Sequence, residues 1–271
     1  SDLRNVGVSK RGHRVPVDPH PGNFTGECFS VLLTACVENP RPGSDEYERA
    51  DGDCWVGREG YLTPNGRRQR ARAFCGTVVV LEDGRPARYR DVFLVDVPED
   101  ITLPGPLGPL EGTLTDYPKP PRGAVVRRLT RTAEASHRAL RGVSGFARAS
   151  GDGQWIAFVG KAEREGVVEN QVFVVSPTTG EVKQLSRLPG GVTGTLGGLR
   201  FSPNARFVAA CGNDGAVYTF STEPKTWGQT VRHTPARAEL ADNVVISPDS
   251  RLLAYNRVLS GVMQIFIAEV R

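Results

Sequence analysis

Short apolar runs, each introduced by a polar turn, recur along the second half of the chain. Gly151-Asp152-Gly153-Gln154-Trp155-Ile156-Ala157-Phe158-Val159-Gly160 aligns with Pro203-Asn204-Ala205-Arg206-Phe207-Val208-Ala209-Ala210-Cys211-Gly212, and again with Pro248-Asp249-Ser250-Arg251-Leu252-Leu253-Ala254-Tyr255-Asn256. Each copy reads as a turn followed by a strand: proline presets one turn dihedral, and Asp or Asn favours the next through local side-chain bonding. A second run follows each copy, with its aromatic at Phe173, Tyr218 and Phe266. These runs carry β-branched and aromatic residues on both faces, which suits strands sandwiched between neighbouring sheets. Upstream, Arg72–Gly76 and Asp91–Asp96 form a fourth copy of the strand pair with a longer connection.

The interval from Asp152 to Asn204 to Asp249 is near the period of about 40–50 residues expected for β-propeller blades. The fold expected is therefore all-β, a β-propeller of WD40-like blades, each running from an inner strand a outward through b, c and d. Inner strands are expected near Glu27–Cys36, Gly145–Ala149, Gly198–Ser202 and Asn243–Ser247, and outer strands at Val125–Thr130 and Glu181–Ser186. The organisation predicted is a lead-in segment at 1–22, a blade at 23–132 with surface excursions at 37–69 and 98–123, and blades at 143–189, 196–233 and 242–271. Four blades of this type point to part of a ring of six or seven. The last blade lacks an outer strand, and the expectation is that a strand upstream of Ser1 supplies it.

Composition narrows this only slightly. The 271 residues include 31 glycines and 20 prolines, which fits a turn-rich fold, while 39% hydrophobic content argues against disorder. Net charge is +4, and 29 of the 34 basic residues are arginine. Arg67, Arg68, Arg70 and Arg72 form the densest basic run, yet no interleaved aromatic platform accompanies it, so it reads as a solvated strand edge and no nucleic-acid partner is expected. Five cysteines at 28, 36, 54, 75 and 211 lack CxxC spacing and suggest reduced thiols, which favours a cytoplasmic over a periplasmic setting. No apolar run reaches the length of about 18 residues expected of a membrane span.

These turns and strands resemble those of the TolB-like propellers, whose blades carry an SPDG-type turn before an apolar strand. The sequence is more closely similar to the uncharacterised bacterial YidR type. The likeness rests on Asp2–Val8, on Pro42-Gly43-Ser44-Asp45-Glu46 followed by Trp55-Val56-Gly57, and on Pro120-Pro121-Arg122-Gly123 leading to Arg127-Arg128-Leu129-Thr130. It implies a propeller with about three further N-terminal blades, and no reaction. Asn204-Ala205 and Asp249-Ser250 stand where the family turn has Asp-Gly.

Chemistry is sparse. His20, His137 and His233 each precede an expected inner strand, and Arg138, Arg141, Asp242 and Asn243 share those loops, so all seven are candidate ligand-binding residues on the channel face. His137 and His233 are the candidate ligands of a divalent metal, though no HxH or HxxxH spacing supports one. Ser144 lacks the glycine of a nucleophile elbow and reads as a turn serine. Asp51-Gly52-Asp53 lacks the further ligands of a calcium loop and reads as a polar turn. The leading expectation is a non-catalytic platform for a small anionic or carbohydrate ligand or a protein partner. The alternative is a metal-dependent enzyme resembling oligogalacturonate lyase, which would use a base and a metal or arginine on a uronate.

Overall fold

A computed structural model describes residues 14–17, 26–29, 31–110, 118–134, 139–145, 147–194 and 197–270. The chain divides into two compact units, one drawing on residues up to Cys36 together with Val95–Val126, the other on Val37–Leu94 and Arg127–Arg271. In the first unit β1 (Arg14–Val17) pairs antiparallel with β2 (Gly26–Phe29). In the same unit, Arg122 donates its backbone N–H to Leu103 and Lys119 to Pro109.

The second unit holds the repeat. Its first sheet has the order β3-β6-β7-β8, from β3 (Arg49–Trp55), β6 (Ala71–Glu82), β7 (Arg85–Asp96) and β8 (Val125–Arg128), and a hairpin of β4 (Tyr61–Leu62) with β5 (Arg68–Gln69) lies between β3 and β6 in sequence. The second sheet runs β10 (Arg148–Ala149), β11 (Ile156–Arg164), β12 (Val167–Val175) and β13 (Val182–Gln184), with β9 (Gly142–Val143) also on β11. The third runs β14 (Leu199–Phe201), β15 (Phe207–Cys211), β16 (Val217–Ser221) and β17 (Thr230–Arg232), and the fourth β18 (Ala241–Ile246), β19 (Leu252–Leu259) and β20 (Val262–Glu269). The described strand registers are all antiparallel, mostly between strands consecutive in the chain, with β3 on β6 and β9 on β11 as the exceptions, an all-β arrangement consistent with a β-propeller.

Packing follows chain order. One core joins Ala73, Cys75, Val92 and Leu94 of the first sheet to Ile156, Phe158, Phe173 and Val175 of the second. A second core joins Ala157, Val159, Val172 and Val174 to Val208, Ala210, Tyr218 and Phe220, and a third joins Ala209, Cys211 and Val217 to Val244, Leu253 and Tyr255. Strand alternation makes this possible: consecutive residues of one strand point to opposite faces, so Ala209 and Ala210 meet different neighbours. Three closures recur inside the sheets. A hydroxyl on the outer strand side, Thr130, Ser186 or Thr234, accepts the backbone N–H of Val92, Val172 or Val217 at 2.9, 2.8 and 2.9 Å. Gly76, Gly160 and Gly212 each lie under an aromatic ring, where an added Cβ would come within 2.7 to 2.8 Å of Phe93, Phe173 or Tyr218.

The alanines of the second strands occupy equivalent places. Ala73, Ala157, Ala209 and Ala254 pair across to Cys54, Arg148, Arg200 and Val245 on the innermost strands. Three inner strands fall where the repeat puts them, but the first does not. Arg49–Trp55, not Glu27–Cys36, lies against β6. Asp51-Gly52-Asp53 is thus strand rather than turn; Gly52 takes a φ of 63° where the register shifts between Asp51 and Cys54, the geometry of a bulge. Asp51 is neutralised there by Arg49 and Arg90. Nor is the connection in the first strand pair long: β6 and β7 extend to a tight hairpin at Asp83-Gly84, with φ values of 49° and 77°. Glu165-Gly166 and Ser260-Gly261 turn the same way in the second and fourth sheets, with both residues at positive φ, which matches the twist of the flanking strands.

Candidate functional site

The site is built from the turns that follow the innermost strands. In three sheets these turns share one design. Ser150, Ser202 and Ser247 donate Oγ–H to Asp152, Asn204 and Asp249 at 2.6, 2.7 and 2.5 Å, and accept the backbone N–H of Trp155, Phe207 and Leu252. The Asp or Asn oxygen in turn accepts from Gln154, Arg206 and Arg251, closing an Asx turn that fixes the entry into the second strand. The Ser247 hydroxyl is the main influence that lowers the Asp249 pKa below its usual value.

These turns are tied to one another. Asn204 donates its backbone N–H to Ser250 Oγ at 3.3 Å. From the first sheet, Arg58 donates its backbone N–H to Gly151 at 2.9 Å and reaches Pro203 O with Nη2 at 3.4 Å. Glycine makes that approach possible: a Cβ on Gly153 would lie 2.3 Å from the Gly60 carbonyl oxygen, and one on Gly57 2.5 Å from the same atom.

Beside Arg58 opens a hollow of about 380 Å³ lined by Trp55, Val56, Gly57, Arg58, Gly60, Arg70 and Ala71. Trp55 is exposed, and Arg72, which also ion-pairs with Asp53, lies over its ring with the guanidinium carbon 4.9 Å from the centroid. The volume falls within the range of about 300–1,000 Å³ that small-molecule sites occupy. Its chemistry is that of an aromatic wall with cationic residues at the rim, suited to a flat or sugar-like ring bearing negative charge. The basic run is therefore not only a solvated edge, since Arg68 also bonds the Gly60 and Asp152 carbonyls at 3.1 Å each.

Of the residues anticipated from sequence, Arg141, His233, Asp242 and Asn243 do not line this hollow. His20, His137 and Arg138 lie outside the described residues. Arg141 is exposed; it donates its backbone N–H to Lys161 and ion-pairs with Glu163 at 2.7 Å, both within the second sheet. His233 follows β17, and its ring nitrogens sit 2.8 Å from Thr219 Oγ1 on β16 and 3.1 Å from the Glu269 carbonyl oxygen on β20. These contacts place its ring between the third strands of the third and fourth sheets rather than at the innermost ones. Asp242 and Asn243 lie on β18, where Asn243 has a φ of 52° and packs closely on Gly197. Ser144 donates to Asn170 Oδ1 at 2.9 Å, a turn role.

Among the described residues no group of three His, Cys, Asp or Glu side chains could hold a metal ion. Cys36, Cys54, Cys75 and Cys211 form no disulfide. Burial is the main influence pushing the Cys54 and Cys75 thiols up to about 11 and Cys211 up to about 12, so these three are protonated at neutral pH and poor nucleophiles. No helix among the described residues is long and apolar enough to cross a membrane.

No family model matches the sequence. The chain is 31% identical over 94% of its length to the uncharacterized protein YidR of Escherichia coli (strain K12), and spans 57% of that relative, little more than half. Among solved structures, TolB from Acinetobacter baumannii aligns with 79% of this chain and 41% of its own, at 17% identity and a TM-score of 0.41. A putative TolB from Agrobacterium tumefaciens aligns with 76% of this chain and 58% of its own, at 14% identity and a TM-score of 0.42.

Proposed function

We propose that the chain is a run of four blades from a larger β-propeller and serves as a non-catalytic binding platform, with a small anionic or carbohydrate ligand held in the hollow at the turn end of the sheets. The observation that carries this reading is the hollow itself. Its wall is an exposed tryptophan packed under Arg72, and its lining includes Gly57 and Gly60, whose turn is held by close backbone contacts with Gly153 and Gln69. Such a site is pre-formed, which lowers the ordering cost of binding. The ring of six or seven blades is supported by the bare apolar face of the fourth sheet, where Val245, Leu252, Met263, Ile265 and Ile267 are exposed. A further sheet in that position would bury it as the third sheet is buried by the fourth.

The platform reading is tested by titrating the protein with glucuronate, glucose 6-phosphate and cellobiose, following tryptophan fluorescence and heat, in parallel with Trp55→Ala. Saturable binding of at least one probe, weakened at least about tenfold by loss of the aromatic wall, is the expected outcome. Binding of every probe unchanged in Trp55→Ala, or binding of none, would remove the hollow as the site.

A further inference from the structure

We propose that Arg148 and Arg200 form a second, separate binding site on the innermost strands, one that takes an oxyanion: the carboxylate or phosphate group of a small ligand. β10 and β14 are the first strands of consecutive sheets and adjoin one another. The two arginines stand at the same place in the repeat, two residues before the turn serines Ser150 and Ser202. Each lies across from a second-strand alanine, Ala157 or Ala209, whose small side chain leaves room on that face for a long neighbour. The blade itself does not require arginine there, because Cys54 and Val245 fill the equivalent positions opposite Ala73 and Ala254.

Their geometry is also the same. Nη1 of Arg148 donates to the Ala147 carbonyl at 2.8 Å, and Nη1 of Arg200 donates to the Leu199 carbonyl at 3.0 Å. Each guanidinium is thus tied back to its own strand. Arg200 has no carboxylate partner among the described residues. It is half-buried, and burial followed by the charge of Arg148 lowers its pKa. Two like charges placed side by side away from bulk water are unfavourable alone and favourable around a shared anion. A planar guanidinium fork matches the two oxygens of a carboxylate or phosphate, so this pair selects an oxyanion over a neutral ring. The site does not depend on the hollow at Trp55, which is lined by other residues.

The test uses the full chain with inorganic phosphate and glucuronate as probes, measured by calorimetric titration and by the thermal midpoint. Wild type is expected to bind at least one probe saturably. Arg148→Gln and Arg200→Gln should each weaken that binding at least about tenfold, and the double variant should lose it. Without an anion the Arg200→Gln midpoint should equal or exceed wild type, because a like-charge contact has been removed, which shows the variant is folded. The exposed hairpin variant Arg85→Gln should bind both probes as wild type does, and phosphate, which has no ring to stack on Trp55, keeps failure of this site separable from failure of the hollow. Response to phosphate alone would mark a phosphate ligand and response to glucuronate alone a carboxylate. Undiminished binding in the double variant, equal loss in Arg85→Gln, or no saturable binding of either probe would overturn the proposal.

Discussion

The third and fourth sheets start from the same turn and the same strand pair, yet they end in different environments. In the third, Ala209, Cys211 and Val217 pack on the fourth sheet while Val208, Ala210 and Phe220 pack on the second. In the fourth, Leu253, Tyr255 and Val244 pack on the third sheet, but the opposite face is open, with Ile265 76% and Ile267 69% exposed. The register makes the two faces comparable position by position: Ala209 pairs with Arg200 and Thr219, and Ala254 with Val245 and Ile267. Ala209 is fully buried; Ala254 is not. Apolar residues on both faces of a strand therefore report that a neighbour is wanted on each side, and a second neighbour for the fourth sheet is not among these four. On the proposed reading this open apolar face is where a further sheet would pack.

Among the described residues the fourth sheet also lacks the outer-strand closure of the first three. The tightest of those closures is in the first sheet, where Arg128 donates to Asp91 through Nη2 at 2.7 Å and Nε at 3.0 Å, and Thr130 and Thr132 satisfy the other carboxylate oxygen. Both ionic side chains are buried, at 2% and 0% exposure. Asp91→Ala would leave the buried guanidinium only the half-exposed Asp45 and the Thr130 carbonyl, and a loss of about 3 kcal/mol is expected in urea unfolding, seen as a lower midpoint at constant slope. No substitution on the outer half of the fourth sheet should approach that loss, because no such lock is found there among the described residues.

The paired alanines sharpen the comparison at one position. Ala209→Leu forces a large side chain into a closed interface and should cost about 1–3 kcal/mol, whereas Ala254→Leu, on the open face, should stay within about 0.5 kcal/mol of wild type. Equal losses by thermal unfolding would mean that the fourth sheet is covered as the third is. The turns offer a smaller effect of opposite sign. Ala205 is held at a φ of 59°, a region that costs an L-residue about 1–2 kcal/mol, so Ala205→Gly should raise stability by up to about 1 kcal/mol.

The smallest expected difference is in pH response. The third turn carries Asn204, which does not titrate, and the fourth carries Asp249, whose pKa the Ser247 hydroxyl holds below the ordinary 3.8. A carboxylate with a depressed folded pKa contributes stability that is present above the unfolded value and lost as pH falls through the folded one. Asp249→Asn should therefore flatten the acid limb of the stability profile slightly. An NMR titration of the Asp249 carboxyl checks the direction.

Much of this fold is legible in sequence because its devices are local. A serine, an Asp or Asn two residues later and an alanine in the next strand are enough to place the second, third and fourth sheets. The first sheet escaped for physical reasons. Its inner strand reads as polar, since Asp51 and Asp53 are compensated by arginines distant in sequence, Arg90 and Arg72, and its Gly52 marks a bulge rather than a turn. Misplacing that strand also hid Trp55, Arg58 and Arg70, although the glycines at 57 and 60 beside an exposed-looking tryptophan were a usable signal. Position before a strand does not say which sheet a ring packs on, and His233 illustrates this. His233 is taken up by Thr219 and Glu269. Arg148 and Arg200 were visible as a pair at one repeat position, but only the register shows them on adjoining strands.

The account stands on the claim that the third sheet is closed on both faces and the fourth on one. Amide hydrogen exchange of this 271-residue chain compares β16 with β20, the third strands of the two sheets, most directly. The β16 amides that bond to β15 should exchange only with global unfolding, and those of β20 that bond to β19 should exchange at least about tenfold faster through local opening. Equal protection of the two strands would contradict it.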